Sequence, residues 1–317
     1  MNKLFIISSS PHIHTQKSVG SCMWNVIIAL MPACLCALYF FGLGASIVLL
    51  TSVSGCLITE YVIQRYMLKG AVTICNGSAI ITGILLALIL PSNLPFWIVL
   101  IGAVVSIGIG KMAFGGLGNN IFNPALVGRV FLLISFPSQM TSWPLPLDNR
   151  LDYLDASTGA TILGQLKMHE ITYDTINITD LIIGNTGGSL GEISALAIII
   201  GFVYLLYRRI ITWHIPFSII FTVFLFSICI GADPWVEILS GGLLLGAVFM
   251  ATDYVTSPMT REGMVIYGIM IGVITIIIRT WGAYPEGVSF AILIMNGITP
   301  LINRYIKPER YGERRAI

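Results

Sequence analysis

Apolar runs long enough to cross a lipid bilayer recur along almost the whole chain, which leaves few folds open to it. In hydrocarbon every backbone N–H and C=O must find a partner within the protein, so only helices and closed barrels span. A spanning helix needs about 20 mostly apolar residues. Ten such stretches can be placed, at roughly 22–43, 45–64, 76–91, 95–112, 124–137, 191–207, 213–231, 236–252, 262–280 and 286–303. Composition agrees: 56% of the 317 residues are apolar and 10% are charged, against about 25% charged in a soluble domain. The expected fold is an all-α polytopic membrane protein. A net charge of +2, with no basic tract interleaved with aromatics, gives no footprint for nucleic acid. The first 20 residues carry Pro11, two histidines and Lys17 without a long apolar core, so no cleavable signal peptide is expected.

Charge fixes an orientation. With the N-terminus in the cytoplasm and alternating sides, 14 of the 17 basic residues fall on the cytoplasmic side, Arg65, Lys111 and Arg129 among them. Only Arg150, Lys167 and Arg279 fall outside, which is the bias that positive-inside insertion produces. Both termini are then expected in the cytoplasm of a bacterium, with the chain in its cytoplasmic (inner) membrane. The one long polar stretch is expected outside, as an ordered flap, since long loops are usually functional or disordered. Residues 1–137 form a first group of five spans, 138–190 the extracytoplasmic loop, and 191–317 a second group of five spans with a basic tail. The third span of each half opens on Gly and Ser, at Asn76-Gly77-Ser78 and Ser240-Gly241-Gly242, and leads to a proline, Pro91 and Pro258. Paired interrupted spans point to inverted repeats with a site at their interface.

The outer loop contains Asp155-Ala156-Ser157-Thr158-Gly159-Ala160-Thr161. A threonine hydroxyl is a poor nucleophile alone, but an enzyme can load it with a phosphate ester. Gly159 and Ala160 keep the approach open. Asp155 and Thr158 can hold the turn through side-chain-to-backbone hydrogen bonds. The alternative is an ordinary polar turn. Further along lies Phe114-Gly115-Gly116-Leu117-Gly118-Asn119-Asn120-Ile121-Phe122-Asn123-Pro124, a backbone-exposed turn. If the stretch is helical, Asn120 and Asn123 share a face. The alternative is an Asn-capped helix start before Pro124.

Two carboxylates sit within apolar runs, and such groups are functional candidates by default. Glu60 lies five residues before Arg65, so it belongs either to an ion pathway or to a pair at the cytoplasmic edge. Asp253 precedes Thr256-Ser257-Pro258, where oxygens can coordinate a hard cation or cap the following turn. Trp143, Trp235 and Trp281 read as interface anchors. The six cysteines, Cys22, Cys34, Cys36, Cys56, Cys75 and Cys229, show no metal-ligand spacing. They read as small buried hydrophobes, with a cluster ligand shared with another subunit as the alternative.

The run 155–161 resembles the flavin-acceptor motif of the RnfD subunit of the Rnf ferredoxin:NAD oxidoreductase, a family related to the NqrB subunit of the sodium-pumping NADH:quinone reductase. The resemblance extends to Ser10-Pro11-His12, to the stretch 114–129 and to Tyr284-Pro285-Glu286-Gly287-Val288-Ser289-Phe290-Ala291. It implies a fold similar to urea transporters, with two inverted five-helix repeats. It implies FMN esterified through its phosphate to Thr161 by a flavin transferase, and a non-covalent riboflavin at Asn120 and Asn123, whose carboxamides both donate and accept. It implies a redox subunit of an ion-pumping complex, inactive alone, surrounded by lipid and working with iron–sulfur and flavin subunits that bind ferredoxin and NAD. The short stretch before the first span favours the ferredoxin-type complex over the quinone reductase. A non-redox solute channel of the same fold is the reading from another class. The relative's acidic residue near the last span has no counterpart at Asn303.

Overall fold

The computed structural model describes residues 18–70, 72–147, 153–154, 157–184, 186–192, 194–284 and 286–307. Asp155 and Ala156 of the acceptor run, the Ser10-Pro11-His12 segment, Pro285 and the basic tail lie outside those residues. α1 (Val19–Phe41) begins where the Ser18 hydroxyl accepts the Ser21 N–H at 3.1 Å. α2 (Leu43–Val62) continues as a π turn over Ile63–Met67. α3 (Ser78–Leu88), α4 (Phe96–Gly108) and α5 (Pro124–Ser135) follow. The polar segment then carries α6 (Pro137–Met140), a short antiparallel ladder of β1 (Trp143–Pro144) with β2 (Thr158–Gly159), α7 (Ile162–Lys167) and α8 (Ile178–Ile183). The second group holds α9 (Ala195–Tyr207), α10 (His214–Ile230), α11 (Pro234–Leu239), α12 (Leu243–Leu245) with a π turn over Gly246–Met250, α13 (Arg261–Trp281) and α14 (Val288–Tyr305).

The protein is a helical membrane protein. Four helices among the described residues are long and apolar enough to cross, Val19–Phe41, Leu43–Met67, Phe96–Phe114 and Arg261–Trp281. Shorter apolar helices accompany them. Two of the expected spans are not continuous. The stretch 76–91 is helical only over Ser78–Leu88, and 236–252 is broken at Ser240-Gly241-Gly242. Gly77, Gly241 and Gly242 have φ of +83°, +67° and +66°, a left-handed backbone that stops a helix and suits glycine.

Broken helices need substitute partners for their freed carbonyls, and distant parts of the chain provide them. Gly191 N–H donates to the Leu88 carbonyl at 2.6 Å, and Leu190 N–H to Leu90 at 3.2 Å. Asn123 Nδ2 donates to the Met250 carbonyl at 3.2 Å. The Arg279 guanidinium donates to the carbonyls of Glu237 at 2.6 Å and Ser240 at 3.0 Å. A Cβ on Gly191 would stand 2.9 Å from Leu88 and Leu245 side chains, so the close approach requires glycine.

Helices pack through small residues, as helices do in lipid. On α5, a Cβ at Gly128 would lie 1.9 Å from Ser106 Oγ and 2.9 Å from the Gly102 carbonyl. Gly128→Ala should therefore force α4 and α5 apart, and overpacking of this kind costs about 1–3 kcal/mol. The measurement is the yield of monodisperse protein in detergent. Gly20→Ala, with nothing within 4 Å of the added atom, serves as the control and should leave the yield unchanged. Outward faces carry Leu50, Ile58, Val203 and Phe217, all more than half exposed. That surface is the one expected to meet lipid tails.

Candidate functional site

Two cavities gather the residues singled out from the sequence. The first has about 730 Å³ of empty space and is lined by Lys111, Asn120, Asn123, Phe249, Asp253 and Tyr254 together with apolar side chains of α1, α3 and α9. The stretch before α5 is not helical, so Asn120 and Asn123 do not share a helix face. They meet at the cavity because the glycine turn folds back, with Gly115, Gly116 and Gly118 all at positive φ. Asn123 is the N-cap of α5: its Oδ1 accepts the Ala125 N–H at 3.1 Å. Asn120 donates to the Phe122 carbonyl at 3.2 Å and is hydrogen-bonded to the Asp253 carboxylate. Both carboxamides line the cavity, and each can donate to and accept from a ligand.

Asp253 accepts from the backbone of Tyr254 and Val255 and from the Thr256 hydroxyl, at 3.4 Å for the last. These are the bonds of a capped turn. Behind the asparagines, Asn296 of α14 accepts the Asn123 N–H at 3.1 Å and donates to the buried Tyr267 hydroxyl at 2.6 Å. Asn303 accepts the Met259 N–H at 3.1 Å.

Glu60 does not pair with Arg65 at the membrane edge. It is 1% exposed, and its partner is Lys111, whose Nζ lies 2.7 Å from the carboxylate and 2.6 Å from Ser78 Oγ. Gln64 adds an amide donor at 3.1 Å. Lys111, read from sequence as a cytoplasmic charge, is thus a buried cation in the wall of the first cavity. A charge inside an apolar run was the available signal, and the Gly-rich turn after it hid how deeply it lies.

The second cavity, with about 920 Å³ of empty space, is lined by Arg129, Trp143, Thr161, Tyr284, Glu286 and Phe290 among others. Thr161 is 7% exposed and caps α7, its Oγ1 accepting the Gly164 N–H at 3.2 Å. The ladder of Trp143 with Gly159 and Pro144 with Thr158 fixes the acceptor run in place. Lys167 holds the far end of α7, donating to the carbonyls of Gly282 at 2.5 Å and Tyr284 at 3.3 Å; burial pulls its ammonium below the ordinary lysine value. Two sequence expectations fail here. Trp143 is 6% exposed and belongs to the cavity wall, because the ladder turns it inward, whereas Trp235 and Trp281 are exposed. Arg129, counted from sequence among the charges in water near a span end, is buried in the wall of the Thr161 cavity and paired with Glu286.

A flat aromatic group tethered to Thr161 fits this cavity. Tyr284 and Phe290 stack with ring centres 5.5 Å apart, and Glu286 Oε1 is buried without a donor. A Cβ on Gly164 would come within 3.2 Å of Thr161 Oγ1, so glycine there keeps the hydroxyl accessible.

The chain matches one protein family from residue 6 to residue 312, a span that takes in both cavities. It belongs to the NQR2, RnfD, RnfE family. It is 49% identical over 316 residues to the RnfD protein of the Na(+)-translocating ferredoxin:NAD(+) oxidoreductase complex of Acetobacterium woodii, covering 98% of this chain and 97% of that one. It is 40% identical over 328 residues to the corresponding protein of the proton-translocating ferredoxin:NAD(+) oxidoreductase complex of Clostridium ljungdahlii, with the same coverage. The corresponding protein of the ion-translocating oxidoreductase complex of Shigella dysenteriae is 37% identical over 351 residues, 99% of this chain and 100% of its own.

Within this member of the family, the cysteines split rather than forming a buried set. Cys34 and Cys56 are buried, while Cys75 and Cys229 are exposed. Among the described residues no group of three or more His, Cys, Asp or Glu side chains lies together as a metal site. Reading from sequence also missed the buried pair of Arg279 with Glu237 at 2.7 Å. Its signal was a lone arginine near the end of an apolar run.

Proposed function

We propose that this protein is the membrane redox subunit of an ion-translocating complex that moves electrons between ferredoxin and NAD. FMN is carried on Thr161 through a phosphoester, placed by a flavin transferase, and a second, non-covalent flavin, riboflavin, occupies the asparagine cavity. The supporting observation is the place of Thr161: a hydroxyl held by a helix cap and a strand ladder at the edge of an aromatic-walled cavity. Bound there, a flavin supplies one- and two-electron transfer, and the protein sets its position and surroundings. Thr161 anchors; Trp143, Tyr284 and Phe290 flank the ring and exclude water; Glu286 offers an acceptor. In the other cavity Asn120 and Asn123 orient the ligand and Lys111 places a cation in its wall.

The ten-span count, the urea-transporter-like inverted repeats, cytoplasmic termini and an extracytoplasmic Thr161 complete the proposal. The ion is sodium or protons, as the relatives' names include both. Glu60 and Asp253 remain the acids for an ion route, although Glu60 is paired with Lys111 and Asp253 accepts several hydrogen bonds. The test is a mass spectrum of peptide 151–167, in which one added FMN is the expected result and an unmodified Thr161 the contrary one. In a quinone-reductase assembly the complex would reduce quinone with NADH; here ferredoxin-driven NAD reduction is expected.

Asn120→Leu should empty the first cavity of its flavin, seen as loss of the extractable flavin with the covalent one retained. Asn123→Ala should do the same and cost about 1 kcal/mol more in stability through the lost cap.

A further inference from the structure

Thr161 lines two cavities. The smaller one also takes in Leu163, Leu181, Gly187, Glu192 and Ser240. Glu192 stands in the turn before α9 and feels the charges of Glu286 and Arg129, which line the larger cavity. Three charged groups from three parts of the chain therefore meet at the wall between the cavities: Arg129 from α5, Glu286 from the turn before α14, and Glu192.

Across the smaller cavity, behind Ser240 and Gly241, stands the Arg279–Glu237 pair, its charges already matched. The Arg129 guanidinium is paired with Glu286. Among the described residues, Glu192 Oε1 and Glu286 Oε1 are both buried without a hydrogen-bond partner, although part of Glu192 is exposed. Glu192 Oε2, among the described residues, takes a long contact from the Ser189 N–H at 3.4 Å, with the Ser189 hydroxyl also beside the carboxylate. The surrounding wall is bare backbone. A Cβ on Gly242 would lie 2.8 Å from Oε1, and one on Gly188 2.8 Å from Oε2. From α3 and α12 come Leu88 and Leu245, packed on the adjacent Gly191 and uncharged. A carboxylate taken from water without a cation or strong donors takes up a proton rather than staying charged.

We propose that Glu192, beside the Arg129–Glu286 pair, holds an exchangeable proton at the wall between the two Thr161 cavities, taken up when negative charge is added beside Thr161 and released when it leaves. One electron arriving at the group on Thr161 brings one proton from the aqueous phase onto Glu192; when the electron passes on, the proton returns. Burial pushes the Glu192 carboxyl above the usual carboxylate range, with Glu286 adding to the rise and Arg129 opposing it. The proton site stands on the cluster alone, while its response to electrons rests on the flavin reading above.

Infrared difference spectroscopy on the purified complex reads the C=O stretch of a protonated carboxyl. A band that titrates across the neutral range is expected, absent in Glu192→Gln. In Glu286→Gln it should move to lower pH, because Arg129 then turns its charge on Glu192. Reduction at mildly alkaline pH should raise the band in the unaltered complex. In Thr161→Ala the pH titration should persist while the response to reduction disappears. The proposal is overturned if no titrating band depends on Glu192, if Glu286→Gln leaves the titration in place, or if reduction leaves the band unchanged where covalent flavin is present. A reduction response that survives Thr161→Ala counts against the attachment and not against the proton site.

Discussion

In Thr161→Val the flavin fluorescence that stays with the chain through denaturing electrophoresis is expected to vanish, while the complex still assembles. The two halves of that statement have separate causes. Valine removes the hydroxyl proposed to carry the phosphoester, so the covalent flavin is expected to be lost completely. The structural cost is small by comparison. Thr161 Oγ1 accepts one N–H, from Gly164, and an N-cap of this kind is worth about 0.5–2 kcal/mol. The β-methyl that valine keeps still fills the space at the cavity edge. Thr161→Ser, which retains hydroxyl and cap, should keep some covalent flavin. Ferredoxin-driven NAD reduction should fall to background in the valine variant and recover in part in the serine one. Covalent flavin retained by Thr161→Val would place the attachment elsewhere.

Lys111→Met is expected to be the most damaging single change to stability. It leaves Glu60, 1% exposed, without its cation, and breaking a buried pair on one side typically costs about 3–5 kcal/mol. It also strips the donor from Ser78 Oγ at the start of the broken helix α3. Adding Glu60→Gln should return most of the loss, because a neutral amide beside methionine and Gln64 leaves no orphan charge. The readout is the thermal midpoint of the detergent-solubilised protein across the four combinations. Equal losses in Lys111→Met and in the double variant would show that the pair contributes nothing through its charges.

What could be read from the sequence follows from how local each signal is. Apolar runs report lipid or interior burial directly, so Val19–Phe41 and Arg261–Trp281 lie within a residue or a few of the expected spans. Helix breaks were marked by glycine, as at Gly241 and Gly242. The acceptor run is contiguous and could be seen as a unit. Charge partners were not legible. Glu60 and Lys111 are 51 positions apart, Arg129 and Glu286 are 157 apart, and no periodicity links them. The positive-inside rule counts every basic residue near a span end as aqueous, and it misplaced Lys111 and Arg129 because an acid from another helix lets each stay buried. Trp143 was misassigned for a related reason: only its pairing with Gly159 reveals which way it faces.

The hydrogen bonds from Gly191 to Leu88 and from Asn123 to Met250 bear on how the protein is made. The ribosome delivers Leu88 about a hundred positions before Gly191, so α3 enters the bilayer with carbonyls that nothing yet satisfies. It can settle only after the polar loop has been made and the next helix has begun to arrive. The carbonyl of Met250 meets its partner as soon as it emerges, since Asn123 is already there. Insertion of this chain therefore closes late, with the second half completing the first, and a ribosome stalled before position 191 should leave a product that proteases can still reach at α3.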